Sequence, residues 1–187
     1  LAPLAMPPVA LNSVAYAATE RVGADGRIEL AEPPTVDVTR PGAVAVTSRC
    51  FLDVSIGGDA PPRRIVVELI GEQCPRAAGN FGQLCIGAPG YGYAGSSFYR
   101  IVGGLTLQAG EIRGGAAGDS APGRAALGAT FEHDNMAIKH NVAGLVSMSN
   151  SALGGGGTQS DSRFLIQLPD DAAFLDGRYE AFGRVSD

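Results

Sequence analysis

The sequence predicts a mainly β domain, a barrel or a sandwich, that follows an N-terminal arm. Three observations carry that reading. Short runs of β-branched and aromatic residues recur from about residue 50 to residue 185. Glycine supplies 27 of the 187 residues, so the runs are separated by many turns. One early segment alone spaces its apolar residues as a helix does.

The elements follow in order. In residues 50–56, Leu52, Val54 and Ile56 fall on one face and Asp53 and Ser55 on the other, the pattern of a half-buried strand. Gly57, Gly58 and Asp59 with Pro61 and Pro62 make a turn, and residues 64–70 form a second, β-branched strand. Pro75 then opens a helix, because proline suits the first helical position, where the N–H has no partner in any case. Ala77, Ala78, Phe81, Leu84 and Cys85 give it an apolar stripe. Gly79 and Gly82 each weaken it by about 1 kcal/mol relative to Ala. Further short strands are predicted at 97–101, 105–109, 145–149, 164–168 and 181–185, with no internal repeat.

Residues 1–47 read as an arm and 48–187 as the domain. Residues 1–22 are rich in Ala, Pro and Leu and carry no charge before Glu20. Ala15-Tyr16-Ala17 has the A-x-A form of a signal-peptidase site after an apolar run, so the stretch reads as the tail of an export signal or as an extended arm. Residues 23–47 mix Gly, Pro and polar residues and are expected to be irregular.

Composition excludes some classes. The formal net charge is -5 and the basic residues are scattered, which argues against nucleic acid as a partner, since phosphate binding needs clustered positive charge. Cys50, Cys74 and Cys85 have no CxxC spacing and no neighbouring histidine, which argues against a zinc site. On a helix Cys74 and Cys85 would lie roughly 16 Å apart at the helical rise, beyond disulfide reach, so the thiols read as free. His133 and His140 lack a third partner at a metal or acid–base spacing and read as structural. No Lys-Ser/Thr follows Gly154–Gly157, so the run reads as loop rather than phosphate cradle.

Four blocks carry a resemblance, in one order along the chain. Phe98-Tyr99-Arg100-Ile101-Val102-Gly103-Gly104-Leu105-Thr106-Leu107-Gln108-Ala109-Gly110-Glu111 closely resembles the cyclophilin signature. Leu145-Val146-Ser147-Met148-Ser149-Asn150 and Phe164-Leu165-Ile166 look like two further cyclophilin strands. Phe174-Leu175-Asp176-Gly177-Arg178-Tyr179, with Phe182-Gly183-Arg184-Val185, is similar to the family's Trp-Leu-Asp-Gly-Lys-His and Phe-Gly-Lys-Val. The resemblance implies a closed antiparallel eight-stranded β-barrel with capping helices, and a groove for an extended peptide with its proline ring in an apolar pocket. The family continues past the last block with a helix and a strand, so these are expected to be missing from a sequence that stops at Asp187. The loop over residues 152–162 is longer than the family's and is expected beside the groove.

The implied activity is peptidyl-prolyl cis–trans isomerisation, with proline-containing polypeptides as substrates and no cofactor or metal. By position Arg100 is the catalytic group, Gln108 holds the peptide backbone and Asn150 anchors the residue before proline. Tyr99, Leu105, Thr106, Ser149, Arg163, Leu165, Phe174 and Tyr179 complete the expected substrate-binding set. Several depart from the family: Tyr99 replaces a His, Leu105 and Thr106 a Phe and a Met, Leu165 a Phe, Phe174 a Trp, Tyr179 a His, and Arg163 stands near a Gln. Less apolar surface predicts weaker proline binding, each loss being on the order of 1 kcal/mol. Two functions follow: a slow isomerase assisting protein folding, or a weak or inactive binding subunit of a larger, membrane-bound complex. The apolar N-terminal stretch resembles that of cyclophilins sent to the chloroplast thylakoid lumen.

Overall fold

The computed structural model describes residues 20–22, 28–30, 36–40, 42–57, 61–112, 123–126, 128–150 and 159–186. The chain forms two compact units, Leu1–Pro34 and Thr35–Asp187. In the first, β1 (Glu20–Val22) pairs antiparallel with β2 (Ile28–Leu30), and β2 lies where irregular chain was expected. Ala15-Tyr16-Ala17 and the apolar stretch before it lie outside the described residues.

The second unit is built on β3 (Ser48–Val54), β4 (Arg63–Leu69), β5 (Arg100–Val102), β6 (Thr106–Ala109), β7 (Phe131–Glu132), β8 (Leu145–Asn150), β9 (Gln159–Gln167) and β10 (Glu180–Val185). They make one antiparallel sheet in the order β3-β4-β10-β8-β9-β6-β5, with β7 added to β9. The sheet curls into a half-barrel, and among the described residues β3 and β5 are its edges. The described helical elements are α1 (Pro75–Cys85) and a 3₁₀ turn, Ala173–Leu175.

Alternation along the strands divides the sheet into two faces. Leu107, Ile166 and Val146, and then Phe164 and Met148, point into the main core, together with Leu69, Phe81 and Phe182. α1 lays its apolar stripe on this face. Phe81 sits at the centre, with ring centroids 5.2 Å from Tyr93, 5.1 Å from Phe164 and 5.2 Å from Phe182. Such aromatic pairs add roughly 0.5–1.5 kcal/mol each beyond area burial. The first turn of α1 has no side-chain cap of its own. Its free N–H groups are met instead by the Asp134 carboxylate, 2.7 Å from Arg76 N and 3.2 Å from Ala77 N.

Three features of the structure were not read from the sequence. The segment before residue 48 contributes to the second unit: Val36 makes a parallel bridge with Ile138, Val38 is buried in the core, and Asp37 accepts a 2.7 Å bond from Asn141. Isolated valines among Pro and Thr carry no periodicity, so only the long-range partner reveals the pairing. The second, a correction, concerns β9, which starts at Gln159 within the segment expected to be loop. Ser160 pairs with Phe131 on one side and Asn150 on the other, so polar residues complete a strand whose neighbours are already in place. Residues 151–158 of that segment lie outside the described residues. The third is β7, which the sequence reading did not contain.

All three cysteines are free. Cys74 is buried and donates to Ala181 O at 3.3 Å. Cys50 on β3 and Cys85 at the end of α1 share a hydrogen bond, which lowers the pKa of the Cys50 thiol and raises that of Cys85.

Candidate functional site

The site is set by register. Arg100 pairs with Gln108 across β5 and β6, Gln108 with Leu165 across β6 and β9, and Leu165 with Ser147 across β9 and β8. Directly paired residues share a face. Arg100, Gln108 and Leu165 therefore stand in one row on the outer face, with Arg100 about 10 Å from Leu165 at the usual strand spacing. Thr106 and Gln167 form the next pair on that face, and both are buried.

The outer face carries its own apolar cluster. Leu165 packs with Ala172 and Leu175, and Tyr179 lies against them. The 3₁₀ turn brings Leu175 to β9: Leu175 N donates to Ala172 O at 2.8 Å, and Tyr179 N to Leu175 O at 3.1 Å. This floor and the Arg100 guanidinium face the same side of the sheet. Among the described residues no hydrogen bond or ion pair engages the Arg100 guanidinium, unlike those of Arg49, Arg64, Arg163 and Arg184.

The other predicted residues are spread over several elements. Leu105 is half-buried in the β5–β6 turn, where its N–H meets Val102 O at 3.0 Å. Asn150 is buried at the end of β8, with Nδ2 3.5 Å from Arg178 O, and Ser149 precedes it, half-buried. Tyr99 is partly exposed beside an open cleft of about 430 Å³ lined also by Gly92, Ser96, Ser97 and Glu111. Burial raises the pKa of its phenol. Arg163 is held by Asp161 through contacts of 2.7 and 3.1 Å, and these bonds raise the pKa of its guanidinium. Gly110 permits the close passage of the β6 end over β9, since a Cβ there would collide with the Ser162 carbonyl and its φ is +90°. Phe174 is 53% exposed and is not part of the floor cluster.

Sequence reasoning did not single out Leu175 and Ala172 as floor residues. The signal for Leu175 lay in the Phe-Leu-Asp-Gly block, one position beyond Phe174. It also missed the bond chain behind the floor. His140 Nδ1 lies 3.0 Å from Asp176 Oδ1, and His140 Nε2 lies 2.8 Å from Ser147 Oγ. Burial lowers the pKa of the imidazole against the pull of Asp176. Burial by itself would raise the Asp176 carboxyl, but bonds from the His140 backbone and ring, with the Lys139 charge, hold it below its ordinary value. His133 contacts Ser160 at 2.7 Å, and burial likewise lowers its pKa.

A guanidinium at the sheet margin and an amide beside it thus share the outer face with the buried apolar cluster of Leu165, Ala172 and Leu175. With the curled antiparallel sheet they define a mainly β domain of the half-barrel kind. Residues 51–187 match the sequence model of the family described as Cyclophilin type peptidyl-prolyl cis-trans isomerase/CLD. The chain belongs to this family, whose members act on proline-containing peptides.

Proposed function

We propose that this chain is a slow peptidyl-prolyl isomerase in which Arg100 is the catalytic group. The observation that supports this most is the Arg100–Gln108–Leu165 row, which turns an unengaged guanidinium and an apolar floor to the same face. The barrier to rotation about the prolyl bond is about 18–20 kcal/mol because the amide nitrogen shares its lone pair with the carbonyl. A guanidinium beside that nitrogen draws the lone pair back and favours the twisted amide. Its planar fork keeps the donors in place, which a lysine could not do. Gln108 holds the backbone and Asn150 the residue before proline, while Leu165, Leu175 and Tyr179 receive the ring. The reaction passes no proton or group to the protein, so no nucleophile takes part.

The slow rate follows from Leu165 and Thr106, which offer the ring less apolar surface than an aromatic and a thioether would. The same loss favours a second reading, a binding subunit of a membrane-protein complex docked through the N-terminal arm. We place the protein in an exported or organellar compartment, the thylakoid lumen first, on the strength of Ala15-Tyr16-Ala17 and the apolar run before it. Magnetisation-exchange NMR on a proline tetrapeptide with purified protein tests the main reading. Catalysed exchange at millimolar peptide is expected. Binding without exchange would leave the subunit reading, and the absence of both would remove the isomerase assignment.

A further inference from the structure

We propose that His140 is a positioning residue of the proline site. It holds the turn over residues 172–176 against β8 and β9, and so sets how Leu175 meets Leu165 across the apolar floor. The inference rests on the reading of that floor as the proline pocket.

The turn is closed by its own bonds, Leu175 N to Ala172 O and Asp176 N to Ala173 O. Those bonds shape it but do not fix it to the sheet. Its polar attachments converge on His140, with its neighbour Lys139. Ala172 N donates to His140 O at 2.8 Å, which anchors the start of the turn. The end is anchored by Asp176 Oδ1, which accepts from His140 N at 2.9 Å and from His140 Nδ1 at 3.0 Å. Lys139 adds an ion pair to Asp176 Oδ2 at 3.4 Å. On its far side the ring meets Ser147 Oγ at 2.8 Å, and Ser147 is the β8 residue paired with Leu165. The His140 carbonyl also accepts from Gln167 Nε2 on β9 at 3.2 Å. One buried side chain and its own peptide groups thus touch both ends of the turn that carries Leu175, and both strands beneath it.

The protonation state follows from the partners. An ionised carboxylate can only accept, so Nδ1 carries the ring hydrogen and Nε2 accepts from the Ser147 hydroxyl. A proton added at Nε2 would turn that nitrogen into a donor and force the hydroxyl to rotate. Asp176 and Lys139 are the charged groups that bear on the ring. A change at Nε2 is therefore passed to the residue paired with Leu165, while the Asp176 bond keeps the turn in place. Both nitrogens of the buried ring are thus satisfied, one by the turn and one by β8, so losing the ring breaks a bond on each side.

The experiment uses the full chain with His140→Ala and His140→Asn. Asparagine can still offer an N–H to Asp176, but it cannot reach Ser147. Exchange NMR on a proline peptide should show KM rising about tenfold in His140→Ala with kcat within about twofold, the pattern of lost uniform binding. His140→Asn should recover most of that loss. In labelled wild-type protein, the Leu165 and Leu175 methyl resonances should follow the His140 ring as pH falls below 6.5, and this titration should vanish in His140→Asn. A lowered Tm with unchanged KM in His140→Ala, or methyls indifferent to the ring, would overturn the proposal. If the wild-type chain neither binds nor turns over peptide, the isomerase reading fails, and the methyl titration still decides whether His140 sets the floor. Should His140→Ala not fold, His140→Asn and the titration carry the test.

Discussion

Arg100 stands directly opposite Gln108 across β5 and β6, so the guanidinium and the amide rise from the same face of two neighbouring strands. The pair lies at a sheet margin, where a peptide can approach. Arg100→Ala should therefore abolish most isomerase activity, a fall of about 10²–10³-fold by comparison with deletion of one preorganised donor elsewhere. The fold should be untouched, because the side chain is exposed and, among the described residues, unengaged. Exchange NMR with a matched circular dichroism melt checks both halves. Near-native turnover would remove Arg100 from its role.

Restoring apolar surface should strengthen peptide binding. Thr106→Met with Leu165→Phe adds thioether and aromatic area on the outer face, and affinity for a proline tetrapeptide should rise several-fold on the scale of about 1 kcal/mol per side chain. Both positions are buried in the free protein, so overpacking should cost about 1–3 kcal/mol of stability. Calorimetric titration and a thermal melt separate the two effects. Unchanged affinity in a folded double variant would mean that the ring binds elsewhere.

Glu180 gives a pH dependence of known sign. Its side chain is fully buried, and Oε1 accepts from Asp134 N at 2.7 Å and Asn135 N at 2.9 Å. Burial, reinforced by the Asp134 charge and partly offset by those two N–H groups, pushes its carboxyl up to about 8. The folded state then holds a proton that the unfolded chain releases near 4.5. The stability from this group is complete below pH 4.5 and is lost as pH rises towards 8. Glu180→Gln should flatten the pH dependence of Tm across that window. An equally sloped curve in the variant would show that another group is responsible.

Truncation should distinguish the two N-terminal pieces. Removing residues 1–34 should leave Tm nearly unchanged, since the second compact unit begins at Thr35. Removing residues 1–47 takes away the buried Val38 and the Val36–Ile138 bridge and should lower Tm, Val38 alone being worth about 1.5–3 kcal/mol. Identical melts for the two truncations would contradict the packing described.

Much of this was legible in sequence because it is local. The strands of residues 145–149 and 181–185 sit in short blocks recognisable in the sequence, and Arg100, Gln108 and Leu165 lie in two more that fold as neighbouring strands. What escaped depends on partners far apart in the chain. The His140 ring meets a carboxylate 36 positions away, and the Glu180 carboxyl meets backbone 45 and 46 positions away. Backbone N–H groups leave no mark in composition, so a buried Glu in a strand reads only as a break in alternation. The Asp161–Arg163 clamp is close in sequence, but Asp161 lay in a segment that its glycines made look like loop.

The sheet order bears on how the protein is made. β10, the last described strand in sequence, occupies an interior place between β4 and β8. Arg184 on β10 reaches back across 116 positions to bond Glu68 on β4 at 2.9 Å. Until residues 180–185 leave the ribosome, the β3–β4 hairpin and the β8–β9 pair have no strand to join them, and each shows an open edge. Synthesis at about 5–20 residues per second leaves that gap for some seconds, during which edge pairing with other chains competes. Closure then depends on contacts between distant parts of the chain, the slow class of folding event. A protein whose proposed work is to help other chains rearrange therefore passes through a stage in which it is itself exposed to misassociation.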